Sequence, residues 1–336
     1  MRVLCLQLKR IGDAILTAPA LAALREAHPR ARLTLVLHGP SGGLGPAFAA
    51  ADEVIVYAPG RANLGLWGRV VSGGWSACYD FTGTDRSAVM ARMSRADRVV
   101  GYRRFVEKRA WRAHGYTELS DASVRDLHTV DFHLALTGRP SPATTGFELP
   151  QSGVEPVYGL PAGDFAVVHP GTARREKFWP AERWAEVIRH LPIPVVLTGA
   201  SDPEEWEHLD AIRRALGSRA ERVTDLTGRL TLLQLAAVIA QSRLVLSVDS
   251  AAMHLAAMER RPQVALFGPT NPFHWRPRHA GASVLLAGGA PADSVGPRHV
   301  AAPMDALSTA VVLAAIDGAL ARPLVPPPAV PVPRPQ

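Results

Sequence analysis

Short apolar runs, separated by polar punctuation, recur along most of the chain, and their spacing decides the class of fold. In the first half they are 2-RVLCLQL-8, 32-RLTLVLH-38, 53-EVIVYA-58 and 77-ACYDFTG-83. Runs this short and this continuously apolar are what strands buried on both faces of a parallel sheet look like. Helical patterns alternate with them, one from about Asp13 to Glu26 and one over 64-LGLWGRVVSG-73. Pro19 inside the first predicts a kink, because proline removes a backbone donor.

The alternation pauses over 139–164, where prolines and glycines without apolar periodicity read as a linker. It then restarts with strand 165-FAVVHPG-171, helix 181–191, strand 194-PVVLTGA-200, helix 203–216 and strand 222-RVTDLTG-228. Helix 231–242, strand 244-LVLSVDS-250, helix 251–260 and strand 263-QVALFG-268 complete it. Two successive βαβ series predict an α/β protein of two Rossmann-like, doubly wound domains facing each other across a cleft. The first is placed at 1–150 and the second at 163–322. The remainder, 323-PLVPPPAVPVPRPQ-336, is half proline and is expected to lie outside the fold, extended or disordered.

Composition narrows the class. A chain of 336 residues with 47% hydrophobic and 20% charged residues has enough apolar material for two cores. Two cysteines, Cys5 and Cys78, offer no disulfide framework and fit a reducing compartment. No apolar run approaches the ~20 residues needed to span a bilayer. The formal charge of +7 is matched by Arg86–Arg112 alone, where nine basic residues face only Asp97 and Glu107. That concentration reads either as solvated arginine-rich helices or as a surface for one polyanionic partner, such as an anionic lipid headgroup layer. Nucleic acid is not expected, since no zinc-finger spacing or RNP-like aromatic motif accompanies the charge.

The usual phosphate signatures are missing. There is no G-x-x-x-x-G-K-[ST], no G-x-G-x-x-G between strand and helix, and no His/Cys pairing for zinc. The glycines of 39-GPSGGLGPAF-48 are wrongly spaced for such a loop. The second domain nevertheless carries diphosphate-binding parts. In 167-VVHPGTARREKFWP-180, Gly171 permits close backbone approach, Thr172 can bond a phosphate oxygen and Lys177 can counter its charge. Pro180 suits the first position of the next helix, and Trp179 also reads as a packing anchor. In 246-LSVDSAAMHLAAMERRP-262 a strand delivers Asp249 and Ser250 to a helix that opens with Ala251 and Ala252 and carries His254 one turn in. A helix start of that kind suits a pyrophosphate. In the first domain, Asp13 follows the first strand, where it is either a helix cap or an acid facing the cleft.

These motifs, taken in order, resemble one family. Gly12-Asp13 with 17-TAP-19, His169-Pro170-Gly171, Lys177-x-Trp179-Pro180, Asp249-Ser250-Ala251 with His254-Leu255, and 267-FGPT-270 are similar to the heptosyltransferases, glycosyltransferase family 9, over nearly the whole chain apart from the tail. The resemblance implies the GT-B fold and an inverting, metal-independent transfer of heptose from ADP-L-glycero-β-D-manno-heptose to the lipopolysaccharide inner core. It implies no cofactor beyond that ADP-sugar substrate. Asp13 matches the family's general base, and Thr172, Lys177, Asp249, Ser250, Ala251 and His254 match positions at the donor diphosphate and sugar. Asp225 matches an acidic position near the nucleoside. Thr172-Ala173 stands where members often carry two threonines. Lys9, Arg10, Arg103 and Arg104 are candidates for an anionic lipopolysaccharide or lipid-linked acceptor, at the cytoplasmic face of the inner membrane. Alternatives are a family 9 transferase with another donor or acceptor, a GT-B-shaped nucleotide-sugar 2-epimerase, and a non-catalytic nucleotide-sugar sensor.

Overall fold

The computed structural model describes residues 1–323, the side chain of Glu221 excepted. The first sheet comprises β1 (Arg2–Gln7), β2 (Arg32–His38), β3 (Glu53–Tyr57), β4 (Ala77–Asp80), β5 (Arg98–Tyr102) and β6 (Glu118–Ser120). All are parallel, in the order β3-β2-β1-β4-β5-β6. The second comprises β7 (Ala166–His169), β8 (Val195–Leu197), β9 (Val223–Asp225), β10 (Leu244–Val248), β11 (Gln263–Phe267) and β12 (Ala282–Leu286). These are also parallel, in the order β12-β11-β10-β7-β8-β9. Numbered within each domain, both sheets have the same doubly wound order, which reverses between β1 and β4 and again between β7 and β10. Ligands of open α/β sheets bind beyond the strand ends at such reversals.

The helices of the first domain are α1 (Ile11–Ala27), α2 (Leu64–Ser72), α3 (Asp85–Met93), α4 (Arg103–Glu107) and α5 (Thr129–Thr137). Those of the second are α6 (Ala181–His190), α7 (Pro203–Leu216), α8 (Leu232–Gln241), α9 (Ala251–Met258), α10 (Pro272–Trp275) and α11 (Thr309–Ala321). The central strands β4, β7 and β10 are buried along their whole length, which is why their sequences lack alternation. No helix among the described residues is long and apolar enough to cross a membrane.

Four expectations change. First, α1 starts at Ile11, so Asp13 is its third residue and not its cap; the helix continues through Pro19 to Ala27. Second, Pro180 caps α6 from outside and does not open it. Third, the stretch from Arg86 to Arg112 is not helices alone. It holds α3, strand β5, α4 and a 3-10 turn. Fourth, each domain keeps a core of its own, but a third buried cluster runs across both. Ile15 and Leu24 of α1 and Phe132 of α5 share one buried apolar cluster with Leu235 of α8 and Leu255 of α9. The linker 139–164 has no helix or strand, as expected. The proline-rich tail lies outside the described residues from 324 onward.

Candidate active site

Burial and a hydrogen-bond clamp fix the turn that leaves β1. Gln7 is fully buried; its Nε2 donates to Thr17 Oγ1 at 2.7 Å, and its Oε1 accepts from the Lys9 backbone N–H at 3.3 Å. Thr17 in turn donates to the Asp13 carbonyl at 2.8 Å. The first turn of α1 is thereby held from both ends. Asp13 is half-buried there. Burial pushes its carboxyl pKa up, against the opposing pull of Lys9, Arg10 and the backbone N–H groups of Arg10 and Asp13. An N–H from the cap residue reaching an acid at the third position is half of a capping box. The Asp13 carboxylate thus takes part in capping α1 while burial keeps its pKa raised.

The second domain supplies charge of the opposite sign. Lys177 Nζ donates to Asp249 Oδ2 at 2.6 Å and to the Asp249 carbonyl at 3.2 Å, and both side chains are nearly buried. An ammonium carries three N–H donors, so one is left to point at a ligand. Asp249 therefore orients Lys177. Ser250, not Asp249, caps α9, yet its hydroxyl makes no capping bond, and Ser250 Oγ is buried without a partner. The backbone N–H groups of the first turn of α9 and that hydroxyl are donors suited to an anion at the end of β10. Thr172 is half-buried one residue beyond Gly171, where β7 delivers it beside β10.

His254 joins the two halves. Its imidazole is buried, which pushes its pKa down to about 4, with Asp249 and Lys177 as the charges it feels. Neutral at physiological pH, the ring lies against Gly12, where an added Cβ would come within 2.9 Å of its Cδ2. The residue before Asp13 in one domain thus touches the residue that senses the Lys177–Asp249 pair in the other. Further along the interface, His128 Nε2 bonds the Arg276 carbonyl at 2.9 Å and His274 Nδ1 bonds the Leu127 carbonyl at 3.0 Å. Arg278 pairs with Asp131 at 2.7 Å.

Other expected residues stand apart. Asp225, at the end of edge strand β9, binds Arg213 Nε at 2.7 Å and accepts from the N–H and hydroxyl of Thr227. Burial works against its ionisation, but those bonds outweigh it and hold its pKa low. Arg103 is ion-paired with Asp121, Arg98 with Glu118, and Arg109 and Arg112 with Asp85. Widening the basic window to 85–121 adds three acids and no base, leaving +4. Arg10 is exposed, and Lys9 Nζ lies 5.3 Å from the centre of the Phe105 ring. Trp179 is a buried anchor, its Nε1 donating to the Leu307 carbonyl at 2.9 Å.

Glu205 was not foreseen. Its buried carboxylate accepts from Ala200 N–H at 2.6 Å and occupies the space a Cβ on Gly171 would need. The close approach that Gly171 permits is thus made from within the protein. The Asp202 cap was the one local signal, since it places Glu205 at the third position of α7. Among the described residues, no group of three His, Cys, Asp or Glu side chains is arranged to hold a metal ion.

The model of glycosyltransferase family 9 (heptosyltransferase) matches residues 65–294, well over half of the chain. The chain belongs to that family. Family 9 membership agrees with the motif order and with the paired doubly wound sheets. Lipopolysaccharide heptosyltransferase 3 of Escherichia coli is 33% identical over 117 residues, which cover 34% of each chain. The match thus spans about a third of that relative's length. Lipopolysaccharide heptosyltransferase 1 of Pseudomonas aeruginosa is 27% identical over 295 residues, covering 81% of this chain and 80% of the relative. The structure of the E. coli heptosyltransferase WaaC with ADP superposes with a TM-score of 0.75 at 22% identity, over 95% of this chain and 100% of that one. At that identity the likeness establishes the shared GT-B fold.

Proposed function

We propose that the protein transfers a heptose from ADP-L-glycero-β-D-manno-heptose to a hydroxyl of the lipopolysaccharide inner core, with inversion and without a metal. The observation that carries this reading is the contact of Gly12 with His254. It brings the turn that carries Asp13 against the helix that follows Asp249 and Ser250, which supports setting a base opposite a diphosphate site. In the single displacement, the acceptor oxygen forms a bond to C1 of the sugar while the bond from C1 to the β-phosphate oxygen breaks. The acceptor proton goes to Asp13, and the electron pair of the broken bond leaves with ADP. A base placed in this way contributes typically ~10²–10⁴-fold. The spare Lys177 N–H, the Ser250 hydroxyl, Thr172 and the N-terminus of α9 neutralise the developing charge on ADP. Splitting these tasks between domains lets closure exclude water that would hydrolyse the donor.

In this reading Asp225 lies near the nucleoside; its carboxylate is oriented by Arg213 and Thr227. Lys9 and Arg10 belong to the acceptor side. The enzyme works at the cytoplasmic surface of the inner membrane, where such an acceptor is embedded. The test is incubation with ADP-heptose and heptose-deficient lipopolysaccharide, read by mass spectrometry. The reading requires one added heptose and one ADP per turnover, unaffected by EDTA, and no donor consumption without acceptor. Donor consumption in the absence of acceptor would point to an epimerase.

A further inference from the structure

A second basic feature lies away from the Lys177–Asp249 pair. A cavity of about 430 Å³ opens where the domains meet, lined by Arg104, Arg125 and Asp126 from the first and by His274 and Arg298 from the second. Three guanidinium groups face one carboxylate. Most arginines nearby are already neutralised: Arg103 by Asp121, Arg278 by Asp131, and Arg109 and Arg112 by Asp85. Arg104, Arg125 and Arg298 make no ion pair among the described residues, and Arg104 Nη1 is shut from water without any acceptor. A buried donor in that state is costly until an acceptor reaches it. Planar guanidinium forks match the paired oxygens of phosphates and carboxylates.

The first-domain wall of the cavity connects to the turn that carries Asp13. Phe105, next to Arg104, carries Lys9 Nζ against its ring, and Lys9 lies on the turn that leads to Asp13. On the same wall, His128 follows Asp126 by two residues and bonds across to the Arg276 carbonyl of the other domain. We infer that this cavity binds a phosphate or carboxylate group of the acceptor, distinct from the donor diphosphate, and that Arg104, Arg125 and Arg298 hold it. Because each domain supplies one wall, the anion is held only when the domains stand in this arrangement. Acceptor and donor binding are therefore coupled, each favouring the other. The naming of the anion as the acceptor's rests on the transferase reading; the anion site itself does not.

The experiment uses the full chain saturated with ADP, so that the donor site is filled, and titrates it with inorganic phosphate by calorimetry. Arg298→Gln and Arg125→Gln, both at exposed positions, should weaken phosphate binding about 10-fold or more, while Arg214→Gln on the outer face of α7 should not. In transfer assays the same two variants should raise KM for phosphorylated acceptor by a similar factor and leave ADP affinity unchanged. Dephosphorylated acceptor should erase the difference if phosphate is the group held. If it persists there and vanishes instead with carboxyl-blocked acceptor, a carboxylate is held. Unchanged phosphate binding and unchanged KM in both variants would overturn the site. Weakened phosphate binding with unchanged KM would overturn its assignment to the acceptor. Failure of the wild type to bind ADP would count against the donor site alone.

Discussion

Gly12 lies directly against the His254 imidazole, closely enough that a Cβ at position 12 would come within 2.9 Å of the ring. A glycine is needed here for space and not for backbone conformation, since it lies within the first turn of α1. The ring is buried and cannot swing aside freely. Forcing a methyl group into such a contact costs roughly 1–3 kcal/mol. That strain falls on the spacing between the domains and not within either one. Gly12→Ala should accordingly lower kcat/KM by about 10-fold or more, since misplacing reacting groups by about 1 Å costs ~10² in rate. Circular dichroism should show both domains still folded. Wild-type kinetics from this variant would mean that the contact does not set the catalytic spacing.

The Lys177–Asp249 pair tests how charge and stability separate. Removing one member of a nearly buried pair leaves the other uncompensated, at a cost of about 3–5 kcal/mol. Lys177→Ala should therefore both melt earlier and lose ADP affinity. The double variant Lys177→Met, Asp249→Leu should recover most of the melting temperature but none of the ADP binding. Thermal melts and calorimetry on the three proteins distinguish these effects. Recovered ADP binding in the double variant would remove Lys177 from the donor site.

Interface contacts of similar appearance should differ in weight. Arg278 and Asp131 are both well exposed, and exposed pairs contribute ~0–1 kcal/mol. His128 is buried and bonds Arg276 across the interface, and a buried bond of that kind left unmade costs about 1–3 kcal/mol. Asp131→Asn should leave the melting temperature nearly unchanged, whereas His128→Ala should lower it measurably. Equal losses in the two variants would contradict this ranking.

The alternation of apolar runs carried most of the fold. β2 and α7 were legible to the residue because each begins and ends on a change of polarity, or on a cap such as Asp202. Strand β5 was not legible, because Arg98 opens it and basic residues crowd both its ends. Its five residues look like a charged loop until Glu118 pairs with Arg98 across to β6. The placement of candidate residues was legible where a motif follows a strand, as with Asp13 after β1, Thr172 after β7 and Ser250 after β10. It was illegible where partners are distant in sequence. Nothing local to Gly171 names Glu205, and nothing within Arg86–Arg112 shows that Glu118 and Asp121 neutralise part of that stretch.

Asp13 also predicts a pH signature. Burial raises its pKa, so the base form, and with it kcat/KM, should appear only as pH rises through a value above the ordinary ~3.9. The stability effect has the opposite sense. A carboxyl with a raised folded-state pKa favours the fold fully below its unfolded pKa and loses that contribution as pH climbs through the folded value. Asp13→Asn should thus melt at or above the wild type near pH 7, with the difference shrinking in acid. It should also abolish the acidic limb of the rate profile. An Asn variant that melts well below the wild type at neutral pH would show that the carboxylate serves the fold.

The most direct test of the account is turnover of Asp13→Asn with ADP-heptose and heptose-deficient lipopolysaccharide, measured beside its donor dissociation constant. The account predicts a fall in turnover of ~10²–10⁴-fold with donor affinity nearly unchanged. Turnover equal to the wild type would contradict the assignment of Asp13 as the base.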